Sequence, residues 1–157
     1  MILVTVGTER FDELVRAVDE LVARGQFAGE VLVQIGQGQY TPEHVAHVRY
    51  LRDMSVRIAQ ADLVITHAGT GSVCDCISSG RPFIAVVDQR KSGNHQLEFA
   101  RALSERFDFC WIDSPTALAA ALPQARPARP LSQFGVAELA DDIRQAVSGR
   151  QRRMQLA

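Results

Sequence analysis

Short runs of β-branched and other apolar residues, at 2–6, 31–35, 63–66, 83–87 and 109–112, recur along the chain without polar alternation. A strand with one wet face alternates; a strand apolar at every position is covered on both faces. Between the runs the period changes. Phe11, Leu14, Val15, Val18, Leu21 and Val22 recur at spacings of three and four, which predicts a helix with one buried stripe, and Gly25 stands where it should stop. A weaker extended segment at 48–51 leads to a short helix ending near Ala61. A turn at 67–72 opens a helix that stops at Gly80, with Pro82 beyond it. Residues 94–107 predict a helix with Leu97, Ala100 and Leu103 inward. Residues 123–130 hold three of the six prolines and read as an irregular bracket, and Val136, Leu139, Ala140, Ile143 and Val147 mark a closing helix.

Strands alternating with amphipathic helices predict an α/β fold: a Rossmann-like, mainly parallel sheet with helices on both faces. The 157 residues suffice for a single domain, with a C-terminal helix and basic tail from about residue 131. In such sheets ligands bind beyond the carboxyl ends of the strands. Four segments qualify: Gly7-Thr8, Gly36-Gln37-Gly38, the turn from His67 to Ser72, and the loop from Asp88 to Gln96.

The turn from His67 to Ser72 is the most informative of these. Gly69 and Gly71 allow close backbone approach, and Thr70, Ser72 and the free amides of a helix start offer donors suited to a phosphate. The competing account is a helix cap, with Ser72 and Asp75 at S-x-x-D spacing. Both hold only if the helix begins at Thr70, which leaves Asp75 free for the vicinal hydroxyls of a ribose. Asn94, His95 and Gln96 present polar groups suited to sugar hydroxyls; alternatively Asn94 caps a helix and the other two are solvated. Arg90 and Lys91 are adjacent cations, either solvated or available to a diphosphate or a partner.

Other chemistries lack their residues. Net charge is −1 with a pI near 6.4, so no global field attracts a nucleic acid. There is no G-x-x-x-x-G-K-[ST], C-x-x-C, H-E-x-x-H or G-x-S-x-G, and Cys74 occupies the third-glycine position of a dinucleotide fingerprint, which disfavours a dehydrogenase. His44, His47 and His95 have no spaced partner, so no metal is expected. Cys74, Cys76 and Cys110 read as reduced, partly buried thiols, and Glu9, Asp12 and Glu13 as an acidic first turn that favours the helix dipole. The apolar runs are too short to cross a bilayer and the first residues lack a secretion signal, which predicts a soluble cytoplasmic protein.

The ordered set formed by residues 2–8 with Phe11-Asp12-Glu13-Leu14, residues 61–72, Gly80-Arg81-Pro82, and Asn94-His95-Gln96 with Glu98 and Ala100 resembles the C-terminal domain of glycosyltransferase family 28. The likeness covers about residues 1–110. It is strongest to stand-alone members: the small subunit of the bipartite UDP-N-acetylglucosamine transferase of dolichol-linked oligosaccharide synthesis, and bacterial exopolysaccharide counterparts. The resemblance implies the C-terminal, donor-binding half of a GT-B glycosyltransferase, acting on a UDP-sugar without a metal or other cofactor. It implies that Asp75, an aspartate where glutamate is common, holds the ribose. Thr8 then meets a donor phosphate, Gly69, Thr70, Gly71 and Ser72 form the turn beside it, Gln96 contacts the sugar, and Leu51 and Met54 line the uracil. It assigns nothing to His67.

The resemblance further implies that a membrane-associated acceptor-binding subunit supplies the base and recruits the chain to the inner face of the membrane. The acceptor is then a polyprenyl-linked saccharide, and the donor UDP-N-acetylglucosamine or a glucuronic acid or hexose counterpart. The closing helix and the tail at 149–153 are either a docking element or a frayed basic terminus. The alternative function is a non-catalytic nucleotide-sugar-binding module.

Overall fold

The computed structural model of the chain describes residues 1–90 and 95–131. In chain order the elements are β1 (Ile2–Thr5), α1 (Asp12–Ala23), β2 (Val31–Gln34), β3 (Ala46–Val48), α2 (Met54–Gln60), β4 (Leu63–His67), α3 (Thr70–Ser79) and β5 (Phe83–Val86). They are followed by α4 (His95–Ser104), β6 (Phe107–Asp108), β7 (Cys110–Ile112), α5 (Leu118–Ala121) and β8 (Arg129–Pro130). Six strands form one parallel sheet in the order β3-β2-β1-β4-β5-β7.

The pleat divides the apolar runs between two cores. Ile2 and Val4 point to one face with Val33, Ile65, Ile84 and Val86, where Leu14, Val15 and Val18 of α1 and Leu118 of α5 cover them. Leu3, Val64, Phe83 and Ala85 point to the other, against Ile58 of α2, Val73 and Cys76 of α3, and Ala100 and Leu103 of α4. Both faces are therefore covered, as continuous apolar strands require. Each fully buried Leu or Val is worth about 1.5–3 kcal/mol, so helices drawn from both halves of the chain are held to the sheet chiefly by this burial.

Several boundaries differ from the sequence-based expectation. The extended segment near 48–51 pairs earlier, at Ala46–Val48, because Leu51 turns out of line to donate its N–H to Gln34 Oε1 at 2.9 Å. The helix expected to reach Phe107 ends at Ser104. Phe107 is buried and starts β6, which pairs antiparallel with β8, and the main-sheet strand begins only at Cys110. The proline segment is not irregular. Leu122–Gln124 is a 3-10 turn, Arg126 bridges to Phe83, and Arg129–Pro130 is the strand facing β6. Arg126 fastens that return to Asp108 through Nε at 3.0 Å and Nη2 at 2.5 Å. A two-stranded edge tolerates Pro130, whose missing N–H deprives no inner strand. The sequence pattern also passed over α5, four residues long after a 3-10 turn capped by Ser114. The expected closing helix and basic tail lie outside the described residues, as does Asn94.

Candidate functional site

The chain leaves β1 through α1 toward β2 on one side, and leaves β4 through α3 toward β5 on the other. Adjacent strands β1 and β4 are thus the point where the winding reverses, and in open α/β sheets a ligand binds beyond the carboxyl ends of such a pair. Two loops leave these ends, 6–11 and 68–69.

Gly7 takes φ +66°, a left-handed conformation that favours glycine, with its N–H on Thr5 Oγ1 at 3.0 Å. Its carbonyl accepts Gln34 Nε2 at 2.8 Å, and the same buried Gln34 accepts the Leu51 N–H, which links the first loop to the segment before α2. Between the two loops stands His67. A Cβ on Gly7 would lie 2.8 Å from His67 Cε1, and one on Gly69 would lie 2.2 Å from His67 Nε2. The buried imidazole therefore fills the space that both glycines leave. Sequence reasoning gave His67 no part; the sign of it was a glycine in each of the two flanking turns.

Gly69 is the residue before α3, extended at φ −76° and ψ 135°, and no side chain caps the helix. Because the helix starts at Thr70, Ser72 is already inside its first turn, and the S-x-x-D cap does not form. The opening N–H groups of α3 are left pointing outward at the positive end of the helix dipole, beside the Thr70 and Ser72 hydroxyls. Asp75 is exposed and makes no hydrogen bond or ion pair with any described residue. Thr8 follows Gly7, and so leaves from the same His67 ring that the glycine turn packs on. Leu51 and Met54 are half-buried at the connection into α2.

At the end of β5, Gln96 Oε1 accepts the Asp88 N–H at 2.9 Å, so one end of this amide is committed and its NH2 group has no partner among the described residues. His95 is exposed, with its Nδ1 3.9 Å from Glu98 Oε2. The Arg90 side chain is exposed, but its guanidinium is paired. It bonds both oxygens of Asp88 and also Glu13, and the Asp88 hydrogen bond raises its pKa further.

Gly36-Gln37-Gly38 drops out as an anion site because its donors are spent. The three N–H groups bond Arg49 O at 3.0 Å, Glu9 O at 3.1 Å and Ile35 O at 2.9 Å. Gly36, at φ +54°, sits so close to the first loop that a Cβ would lie 2.3 Å from Glu9 O. Asp12 likewise does more than face a dipole. It is buried, and its carboxylate takes Arg10 Nε at 2.7 Å and the Gln39 N–H at 2.9 Å. Asp19, two turns on, takes the Tyr40 hydroxyl at 2.7 Å and the N–H groups of Glu43 and His44 at 3.0 and 2.8 Å. Together they hold the loop that follows β2.

Among the described residues no group of three or more His, Cys, Asp or Glu side chains gathers as metal ligands. Burial pushes the thiols of Cys74, Cys76 and Cys110 up, that of Cys76 to about 12, so none is a thiolate at neutral pH. No described helix is long and apolar enough to cross a membrane.

Residues 1–125 match the family model described as the glycosyltransferase family 28 C-terminal domain. Human UDP-N-acetylglucosamine transferase subunit ALG13 is 34% identical over 113 residues, which are 65% of this chain and 10% of that protein. The protein of the same name from Yarrowia lipolytica is 32% identical over 117 residues, 66% of this chain and 60% of its own length. The chain thus spans less than two thirds of either relative. The crystal structure of MurG from Acinetobacter baumannii matches 78% of this chain and 40% of its own, with a TM-score of 0.56 at 20% identity. The fold is that of one lobe of the GT-B glycosyltransferases.

Proposed function

The chain belongs to the glycosyltransferase family 28 C-terminal domain family, and on that premise we propose that it is the donor-binding subunit of a two-part transferase that moves a sugar from a UDP-sugar to a polyprenyl-linked acceptor. One observation carries the reading: the uncapped start of α3 and the Gly7-Thr8 loop meet at the winding reversal of the sheet, on either side of His67.

Transfer requires that the departing diphosphate be stabilised. The first-turn N–H groups of α3, with the hydroxyls of Thr8, Thr70 and Ser72, are donors that interact more strongly as negative charge grows on the leaving oxygens. Gly69 and Gly71 keep side-chain bulk out of the turn. Asp75, exposed and without a partner among the described residues, accepts from the ribose hydroxyls, the NH2 group of Gln96 donates to the sugar, and Leu51 and Met54 form the apolar wall for uracil. Asn94 belongs to the sugar end on its motif alone, and the exposed His95 is at most peripheral there. Neither metal nor cofactor takes part in this scheme.

In this reading the general base is not supplied by this lobe. It comes from a membrane-associated partner that binds the acceptor and brings the chain to the inner face of the membrane. N-acetylglucosamine is the favoured sugar, supported by the names of the relatives and by Arg90, whose charge is already met by two carboxylates and so does not await an acidic sugar.

The test is calorimetric titration of the purified chain with UDP and UMP. Binding of UDP at least tenfold tighter than UMP is expected, since charge-assisted hydrogen bonds are worth roughly 1.5–3 kcal/mol. Equal affinities would remove the diphosphate site.

A further inference from the structure

β4 stands between β1 and β5 in the sheet, so the loop after β1 and the loop after β5 are not neighbours through any strand pairing. A side chain joins them. Arg90 places Nε 2.9 Å from Asp88 Oδ1 and Nη2 3.0 Å from Asp88 Oδ2, with Nη1 2.5 Å from Glu13 Oε2. Nη2 also donates to the carbonyl of Arg10 at 3.1 Å, and the guanidinium lies 5.2 Å from the centre of the buried Phe11 ring. On the opposite flank, the Asp88 N–H is held by Gln96.

Asp88 is only 4% exposed, and a buried carboxylate keeps its charge at low cost only when it is paired. Arg90 supplies that pair in the bidentate form that a lysine lacks. A lone exposed ion pair is worth little. Here one planar group joins two carboxylates, a carbonyl and an aromatic face, and three of these four lie at residues 10–13, where the chain enters α1.

We infer that Arg90 is a positioning residue of the donor site: by stapling the loop after β5 to the start of α1, it sets the spacing between Thr8 on one arm and Gln96 on the other, and with it the grip on the sugar end of the donor. The inference rests on the donor-site reading above. Arg90 itself does not touch the donor, because its hydrogen-bonding edge is turned to Asp88, Glu13 and Arg10. It acts through Asp88 and Gln96.

The experiment titrates the full chain with UDP and with UDP-N-acetylglucosamine, comparing the unmodified protein with Arg90→Ala, Arg90→Lys and Glu13→Ala. UDP affinity should stay within about twofold while UDP-N-acetylglucosamine affinity falls about tenfold in Arg90→Ala, since small misplacements of a positioned group carry penalties of this order or larger. Arg90→Lys should not restore it, and Glu13→Ala should show a smaller loss of the same kind. Equal losses for the two nucleotides would mean a merely structural role and overturn the inference, as would unchanged UDP-N-acetylglucosamine binding in Arg90→Ala. If Arg90→Ala does not fold, the same comparison in Arg90→Lys and Glu13→Ala decides. An unmodified chain that binds neither nucleotide defeats the donor-site reading, and the positioning role with it; one that binds both, with variants that do not discriminate, defeats the positioning role alone.

Discussion

At the scale of single residues, the two glycines at the start of α3 have opposite roles. A Cβ on Gly69 would lie 2.2 Å from His67 Nε2, whereas one on Gly71 meets nothing within 4 Å. Gly69→Ala must displace a buried ring and is expected to cost about 1–3 kcal/mol. Gly71→Ala sits in the first turn of a helix with room to spare, and should be neutral or stabilising by up to about 1 kcal/mol. Denaturant unfolding of the two variants checks both, and an equal cost would show that the imidazole does not fill this gap. Asp75 gives a third case. With no described partner, Asp75→Ala should leave unfolding within about 0.5 kcal/mol. Its UDP affinity should fall roughly tenfold or more through the loss of hydrogen bonds to a charged group. Both glycines are visible in the sequence; that one faces a ring and the other open space is not, because the ring belongs to the preceding strand and its direction depends on the sheet.

At the scale of elements, α1 holds the loop after β2 through the buried carboxylates of Asp12 and Asp19, with the Arg16 guanidinium 4.1 Å over the Tyr40 ring. Burial pushes the Asp19 carboxyl up, but hydrogen bonds from the Glu43 N–H, the Tyr40 hydroxyl and His44 outweigh it and hold the group below its ordinary value of 3.8. A carboxyl depressed in the folded state contributes stability that is fully present above the unfolded pKa and is lost as pH falls through the folded one. Stability should therefore decline in acid below about pH 4, and Asp19→Asn should flatten part of that decline. The difference between the two proteins is the quantity to measure, because Asp62 and Asp108 are depressed as well, by the N-terminal ammonium and by Arg126. Equal acid slopes would remove the loop anchor. The amphipathic period of α1 was plain in the sequence, since local spacing alone determines which residues share a face. The β6–β8 pair was not, because Asp108 and Arg126 are brought together by a return of the chain that no local period marks.

At the scale of the whole molecule, a ligand that binds only the folded lobe should stabilise it by about 2.7 kcal/mol at a hundredfold excess over Kd. For a domain of this size that amounts to a rise in Tm of several degrees. UDP should produce that rise, and NADH should not. An NADH shift exceeding that of UDP would favour a dehydrogenase-like site. Transfer of sugar to a polyprenyl-linked acceptor is expected only after a partner subunit is added; turnover by the isolated chain would show that the base lies within it, and nucleotide binding with no turnover in any pairing would favour the regulatory module. By itself the sequence determined the alternation of the apolar main-sheet strands with helices and the two-sided burial of the sheet, since these follow from periodicity and from glycines near in the chain. The tertiary structure alone decided that β1 lies between β2 and β4, that His67 fills the gap between Gly7 and Gly69, that the amides of Gly36-Gln37-Gly38 are consumed, and that Arg90 is already paired. Each of these depends on which distant segments become neighbours, and parallel pairing joins residues whose separation along the chain leaves no local trace.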